Sequence, residues 1–195
     1  DQAFVREFNV FENKRMILFH SVFLPLVFSA FLLALLLTFY KPLSYFLYGS
    51  VSFKTAFITV IPIPFLIVER FNLLIVRMEE KGKIYSLMEI LRRIFDVCFL
   101  IGIVYFQRSF FGIILAKSTS ICVSSCLSFL FVKSYWIMDQ SFDKKLLNRL
   151  LRFGLPLVPA TIIGWVLNAM DKVALRMWAD FSEMGIYSAG FKIVS

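Results

Sequence analysis

Residues Gly154–Leu175 read GLPLVPATIIGWVLNAMDKVAL, an apolar run interrupted late by Asn168, Asp171 and Lys172. The run is long enough to cross a hydrocarbon core as a helix, which takes about 20 residues. Gly164, Asn168, Asp171 and Lys172 fall at helical offsets 0, 4, 7 and 8 and make one polar edge, while Ile162, Ile163, Trp165, Val166 and Val173 cover the other faces. Such an edge persists in lipid only if it faces protein or water. The stretch therefore predicts a membrane helix packed in a bundle around a wet interior, with Pro156 and Pro159 placed to bend its start.

The rest of the chain repeats this pattern. Apolar runs cover 16–40, 54–78, 84–106, 110–132 and 153–178, and a sixth begins near Ser182. Hydrophobic residues make up 59% of the 195, 24 of them phenylalanine, and mean hydropathy is +0.79, too much apolar surface for a soluble globule of this length. The runs are too long and too weakly alternating for barrel strands. The expected fold class is thus an all-α membrane protein, a polytopic helical bundle with five full transmembrane spans and a truncated sixth. The chain reads as a piece of a longer one. Net charge is +8, but lysine blocks interleaved with stacking aromatics are missing, so nucleic acid is excluded as a partner and anionic membrane lipid is expected instead. Cys98, Cys122 and Cys126 sit in apolar runs with no CxxC pair and read as small packing residues rather than metal ligands.

Connections alternate in charge. Residues 1–15, 77–83 and 133–152 carry eleven lysines and arginines, whereas the intervening connections carry three, Lys41, Lys54 and Arg108. The positive-inside rule places the first set in the cytoplasm. Within 133–152, DQSFDKKLLNRLLR (Asp139–Arg152) reads as an amphipathic helix on the cytoplasmic surface and as the boundary between two bundles. Tyr40, Tyr45, Tyr48, Tyr105, Trp136 and Trp178 lie near span ends as an interfacial belt would, and His20 reads as interfacial and solvated.

Several charges lie inside the runs. Glu89, Arg92, Arg93 and Asp96 form one stripe at offsets 0, 3, 4 and 7, capable of Glu89–Arg93 and Arg92–Asp96 pairs. The stripe suits either an internally paired collar or a cavity wall. Arg70 sits near mid-depth with Arg77 two turns further on the same side, and a guanidinium at depth needs an anion, from a neighbouring carboxylate or a ligand phosphate. Lys117 could reach the outer face along its stem, and Ser118, Thr119, Ser120, Ser124, Ser125 and Ser128 suit close helix packing. Candidate cavity residues are Arg70, Arg77, Arg92, Arg93, Asn168 and Lys172, and Asp171 is the candidate for binding a coupling ion.

Particular words carry a resemblance. DQAFVREF at the start, RMEEKGKIYSLMEI (Arg77–Ile90), RFGLPLVPATIIGWVLNAMDKVAL and EMGIYSAGFKIVS resemble the polysaccharide-biosynthesis (O-antigen) flippases, the Wzx type of the multidrug/oligosaccharidyl-lipid/polysaccharide superfamily. The resemblance implies a two-lobe fold. Residues 1–132 would then hold spans three to six of the N lobe, 133–152 the cytoplasmic connection, and 153–195 span seven with the start of span eight in the C lobe. It implies a multi-pass protein of the cytoplasmic membrane that is no enzyme and has no cofactor. Its substrate would be an undecaprenyl-pyrophosphate-linked oligosaccharide moved to the outer leaflet, with a proton or sodium ion as candidate coupling ion. The alternatives are a multidrug or lipid II exporter of the same superfamily and a membrane-embedded glycosyltransferase or polymerase.

Overall fold

The computed structural model describes residues 1–11, 13–48, 51–137, 142–178, 185–187 and 190–191. Among these the chain is helical and contains no strand. It forms two compact units, Asp1–Leu150 and Leu151–Ser195.

In the first unit a short helix α1 (Gln2–Phe8) precedes α2 (Lys14–Thr38), whose start is capped by Asn13, the side chain accepting from Met16 N–H. Helices α3 (Tyr40–Tyr48) and α4 (Phe53–Val60) follow, joined through Ser44, whose buried Oγ accepts from Ser52 N–H at 2.9 Å. The expected run 54–78 is two helices, α4 and α5 (Ile63–Met78), separated at Ile61–Pro62, where prolines 62 and 64 interrupt the hydrogen-bond ladder. Helix α6 (Gly82–Phe106) and helix α7 (Phe110–Val132) complete the bundle, and one 3-10 turn, Lys133–Tyr135, ends it.

Two tight turns fix the antiparallel hairpins. Between α5 and α6, Lys81 N–H reaches Val76 O at 3.2 Å and Glu80 N–H reaches Arg77 O at 3.1 Å, with Glu80 in the left-handed region at φ 57°. This is a Schellman closure in which a glutamate stands where glycine usually does. Between α6 and α7, Ser109 caps the new helix by accepting from Gly112 N–H at 3.2 Å. A Cβ on Gly112 would meet Gln107 O at 2.3 Å, so this turn requires glycine.

The buried core gathers at one end of the unit. Phe4 and Phe8 of α1, Ile17, Leu18 and Val22 of α2, Phe71, Ile75 and Val76 of α5, and Val132 of α7 pack there. Leu146 and Leu150 of α8 (Lys144–Gly154) join them, while Lys144, Lys145 and Arg149 of the same helix stay exposed. The amphipathic helix expected to lie on a membrane surface thus spends its apolar side on protein. Its anchor is an ion pair: Arg149 Nη2 lies 2.9 Å from Glu7 Oε2, and Arg149 Nε donates to Glu7 Oε1 at 3.1 Å. His20, expected to be solvated, is instead 1% exposed. Its Nδ1 donates to Met16 O at 2.8 Å and its Nε2 accepts from Asp143 N–H at 2.8 Å, which tethers the chain entering α8. Residues 138–141 of that connection lie outside the described residues.

Away from this end the helices show broad apolar surfaces: Val27, Phe28 and Phe31 on α2, and Ile90, Ile94, Val97 and Ile101 on α6, are all exposed. Exposed apolar stripes along long helices suit a lipid solvent. Among the described residues, three helical stretches are long and apolar enough to cross a membrane, Lys14–Thr38, Phe53–Met78 and Phe110–Tyr135, and α8 with Leu157–Leu167 passes the same test as one broken span. Helix α6 has 25 residues, about 37 Å of helix. Glu89, Arg92, Arg93 and Asp96 keep it out of that apolar class.

The second unit contains α9 (Leu157–Trp178), which follows a turn at Leu155–Pro156. Ile162, Ile163, Trp165 and Leu167 are exposed along it. The side chains of Asn168, Lys172 and Trp178, and most of the expected sixth span, lie outside the described residues.

Candidate functional site

A cavity of about 480 Å³ opens in the first unit, walled by α2, α5, α6 and the start of the chain. Its charged lining comprises Arg70, Arg77, Arg92, Asp1, Glu69 and Glu89. Helix periodicity explains the set. On α5, Arg70 and Arg77 are two turns apart and share a side with Leu66, Leu73 and Leu74, and on α6 Tyr85, Glu89 and Arg92 sit on successive turns. Pro25 of α2 contributes apolar wall.

Three of the candidate cavity residues, Arg70, Arg77 and Arg92, are therefore brought together, though in unequal surroundings. Arg70 donates from Nε to Asp1 Oδ2 at 2.8 Å, so its anion is an acid of the same unit. Arg92 Nε lies 3.8 Å from Glu69 Oε1, close enough for an ion pair and too far for a hydrogen bond. Arg77 is exposed at the last turn of α5 and has no carboxylate within ion-pair distance among the described residues. The charged lining holds three guanidiniums and three carboxylates.

Glu69 differs from the other acids. It is 3% exposed, and its Oε2 has no hydrogen-bond partner among the described residues. A void of about 10 Å³ lies behind it, bounded also by Arg92, Ser124 and Ser128, so Arg92 borders both spaces.

The stripe on α6 does not pair within itself. Asp96 turns to α7, where Lys117 Nζ donates to Oδ2 and Ser120 Oγ to Oδ1, both at 2.6 Å. Lys117 thus does not extend to an outer face; the Asp96 carboxylate holds it. Glu89–Arg93 and Arg92–Asp96 are not within ion-pair distance; Arg92 pairs with Glu69 on α5 and Asp96 with Lys117 on α7 instead. Arg93 is exposed and does not line the cavity.

The serines of α7 pack as their spacing suggests. Ser120, Ser124, Ser125 and Ser128 are buried, and Ser125 Oγ donates to Phe65 O at 3.0 Å. At the same level Asn72, fully buried, donates from Nδ2 to Ser128 Oγ at 2.8 Å and accepts from Trp136 Nε1 at 2.8 Å. Trp136, expected in an interfacial belt, thus gives its indole N–H to a buried amide. In the second unit, Asp171 is exposed and its Oδ2 accepts from Tyr187 Oη at 3.1 Å.

Sequence reasoning missed the cross-helix pairings, although a signal existed. Glu69 and Arg92 stand equally far before and after the turn at Glu80–Lys81, and Asp96 and Ser120 equally far from Arg108. In an antiparallel hairpin, residues equidistant from the turn sit at one level.

A family model described as "Polysaccharide biosynthesis protein" matches residues 2–195. Comparison with curated proteins and with solved structures returned no match. The match covers nearly the whole chain, the apolar bundle and the charged cavity alike, and the chain belongs to the polysaccharide biosynthesis protein family.

Proposed function

We propose that the chain is part of a flippase that moves an undecaprenyl-pyrophosphate-linked oligosaccharide from the cytoplasmic to the outer leaflet of the cytoplasmic membrane, for surface polysaccharide assembly. Family membership supports a polysaccharide-related membrane transporter. The finer reading rests on one observation, a 480 Å³ cavity holding three guanidiniums of which Arg77 has no acid partner among the described residues. A sugar pyrophosphate is polyanionic and cannot enter hydrocarbon unassisted. Guanidiniums offer it forked, charge-assisted hydrogen bonds, while the prenyl tail stays in lipid beside the exposed apolar helix faces.

In this reading Arg70, Arg77 and Arg92 bind the pyrophosphate, with Asn168 and Lys172 as further candidates, and Asp171 is the candidate coupling carboxylate, a proton or sodium ion being its ligand. Residues 1–132 belong to the N lobe and 153–195 to the C lobe, and the lobes rock about the site to alternate its exposure. The test is transfer of a labelled prenyl-pyrophosphate oligosaccharide between leaflets in proteoliposomes of the full-length protein. Transfer above protein-free vesicles, with no transfer of the same glycan lacking pyrophosphate, is expected. Equal transfer of both compounds would refute phosphate recognition.

A further inference from the structure

We infer that Glu69 is an internal counter-anion that competes with the transported ligand for Arg92, and so sets how readily the ligand leaves. The inference rests on the reading of the cavity as an anion site. Its evidence is the half-made contact between the two residues. Glu69 is almost fully buried with Oε2 unpartnered among the described residues, and Oε1 lies 3.8 Å from Arg92 Nε, beyond a hydrogen bond. A buried carboxylate and a half-buried guanidinium that could join in a forked pair, and do not, leave each other incompletely satisfied. Arg92 is 32% exposed in its side chain and borders both the large cavity and the void behind Glu69. Its guanidinium can therefore be drawn to either side, to the carboxylate or to an anion in the cavity.

The other charges around Glu69 leave this role to Arg92. Facing it from α6 are Arg92, Glu89 and Asp96, and Asp96 is already held by Lys117 and Ser120. From α7, Ser124 borders the same small void, its hydroxyl donating to Ile121 O. Arg70, its neighbour on α5, is bound to Asp1. Arg92 is the cation with which Glu69 forms an ion pair.

An anion entering the cavity takes Arg92 and leaves Glu69 without its cation; when the anion departs, Glu69 draws Arg92 back. Tight capture by three free guanidiniums would stall release, and the internal acid prevents this. Glu69 is thus a positioning residue that acts through Arg92, lowering affinity to the benefit of turnover.

The experiment measures binding of inorganic pyrophosphate to the full-length protein by calorimetry, as a double-mutant cycle, alongside leaflet transfer. Glu69→Gln is expected to tighten binding on the order of tenfold, the scale of one charge at a short distance in a medium of intermediate dielectric. Transfer should show a lower KM and a lower kcat. In an Arg92→Gln background the same change should alter the dissociation constant less than about twofold, since the competing partner is gone. Weaker or unchanged binding in Glu69→Gln would overturn the inference, as would equal tightening with and without Arg92, which would mean a general charge effect. Should Glu69→Gln fail to accumulate, Glu69→Asp, one methylene shorter, must tighten binding in the same direction; unchanged or weaker binding there would equally overturn it. If wild-type protein binds no pyrophosphate, the anion-site reading fails first and this one with it.

Discussion

Arg77→Ala separates a working cation from its neighbours. The residue lines the cavity, and no carboxylate among the described residues pairs with it, so its donors are available to a ligand. A hydrogen-bonded contact to a charged group contributes about 1.5–3 kcal/mol, and its loss corresponds to roughly a 10- to 150-fold fall in kcat/KM. Arg70 has one of its donors on Asp1 at 2.8 Å. An exposed pair of that kind is worth about 0.2–1 kcal/mol, so Arg70→Ala should be milder than Arg77→Ala by up to about fivefold. Arg70→Lys should be milder still, keeping the charge and losing the fork. Arg93 supplies the internal control, because it follows Arg92 in sequence yet lies outside the cavity lining. Arg93→Ala should transport within about twofold of wild type, as a side chain that touches no ligand would. The assay is initial rate of leaflet transfer in proteoliposomes at matched protein amounts, over a range of substrate concentration. Wild-type transfer by Arg77→Ala, or an equal loss in Arg93→Ala, would refute the assignment of the cavity as the phosphate site.

Two further outcomes follow from the fold. Asn72→Ala strips the acceptor from Trp136 Nε1 and the donor to Ser128 Oγ, both at 2.8 Å around the fully buried Asn72, and should destabilise the protein by about 2–4 kcal/mol; a thermal-unfolding midpoint in detergent equal to wild type would show the network to be dispensable. Single cysteines at Lys81 and Lys145 should be labelled from the cytoplasm and one at Ser109 from outside, in a cysteine-free full-length protein; labelling of positions 81 and 109 from the same side would disprove the topology drawn from the charged connections.

The class of the fold was legible because lipid leaves few choices: long apolar runs must become helices, and a proline can break one, as at Pro62, or be carried within it, as Pro25 is in α2. Arg70 and Arg77 were legible as a pair because helical periodicity aligns them on α5, and Arg92 as a charge inside the next run. Their partners were not, since a search confined to i, i+3 and i+4 can find no acid on another helix. It assigned Asp96 to Arg92, whereas the carboxylate meets Lys117 and Ser120 across the hairpin. His20 and Glu7 were harder still. Each is separated by more than 120 residues from the segment it holds, Asp143 and Arg149 respectively, and nothing in local pattern connects them. Both errors point the same way in physical terms. Periodicity reports which residues share a face, but the partner of a buried charge is decided by which helix covers that face, because an ion taken out of water must find its counter-charge wherever packing brings one. Counting outward from each tight turn recovers the two hairpin pairs at no further cost, and it stops at the long-range contacts, where only the assembled core places Glu7 against Arg149.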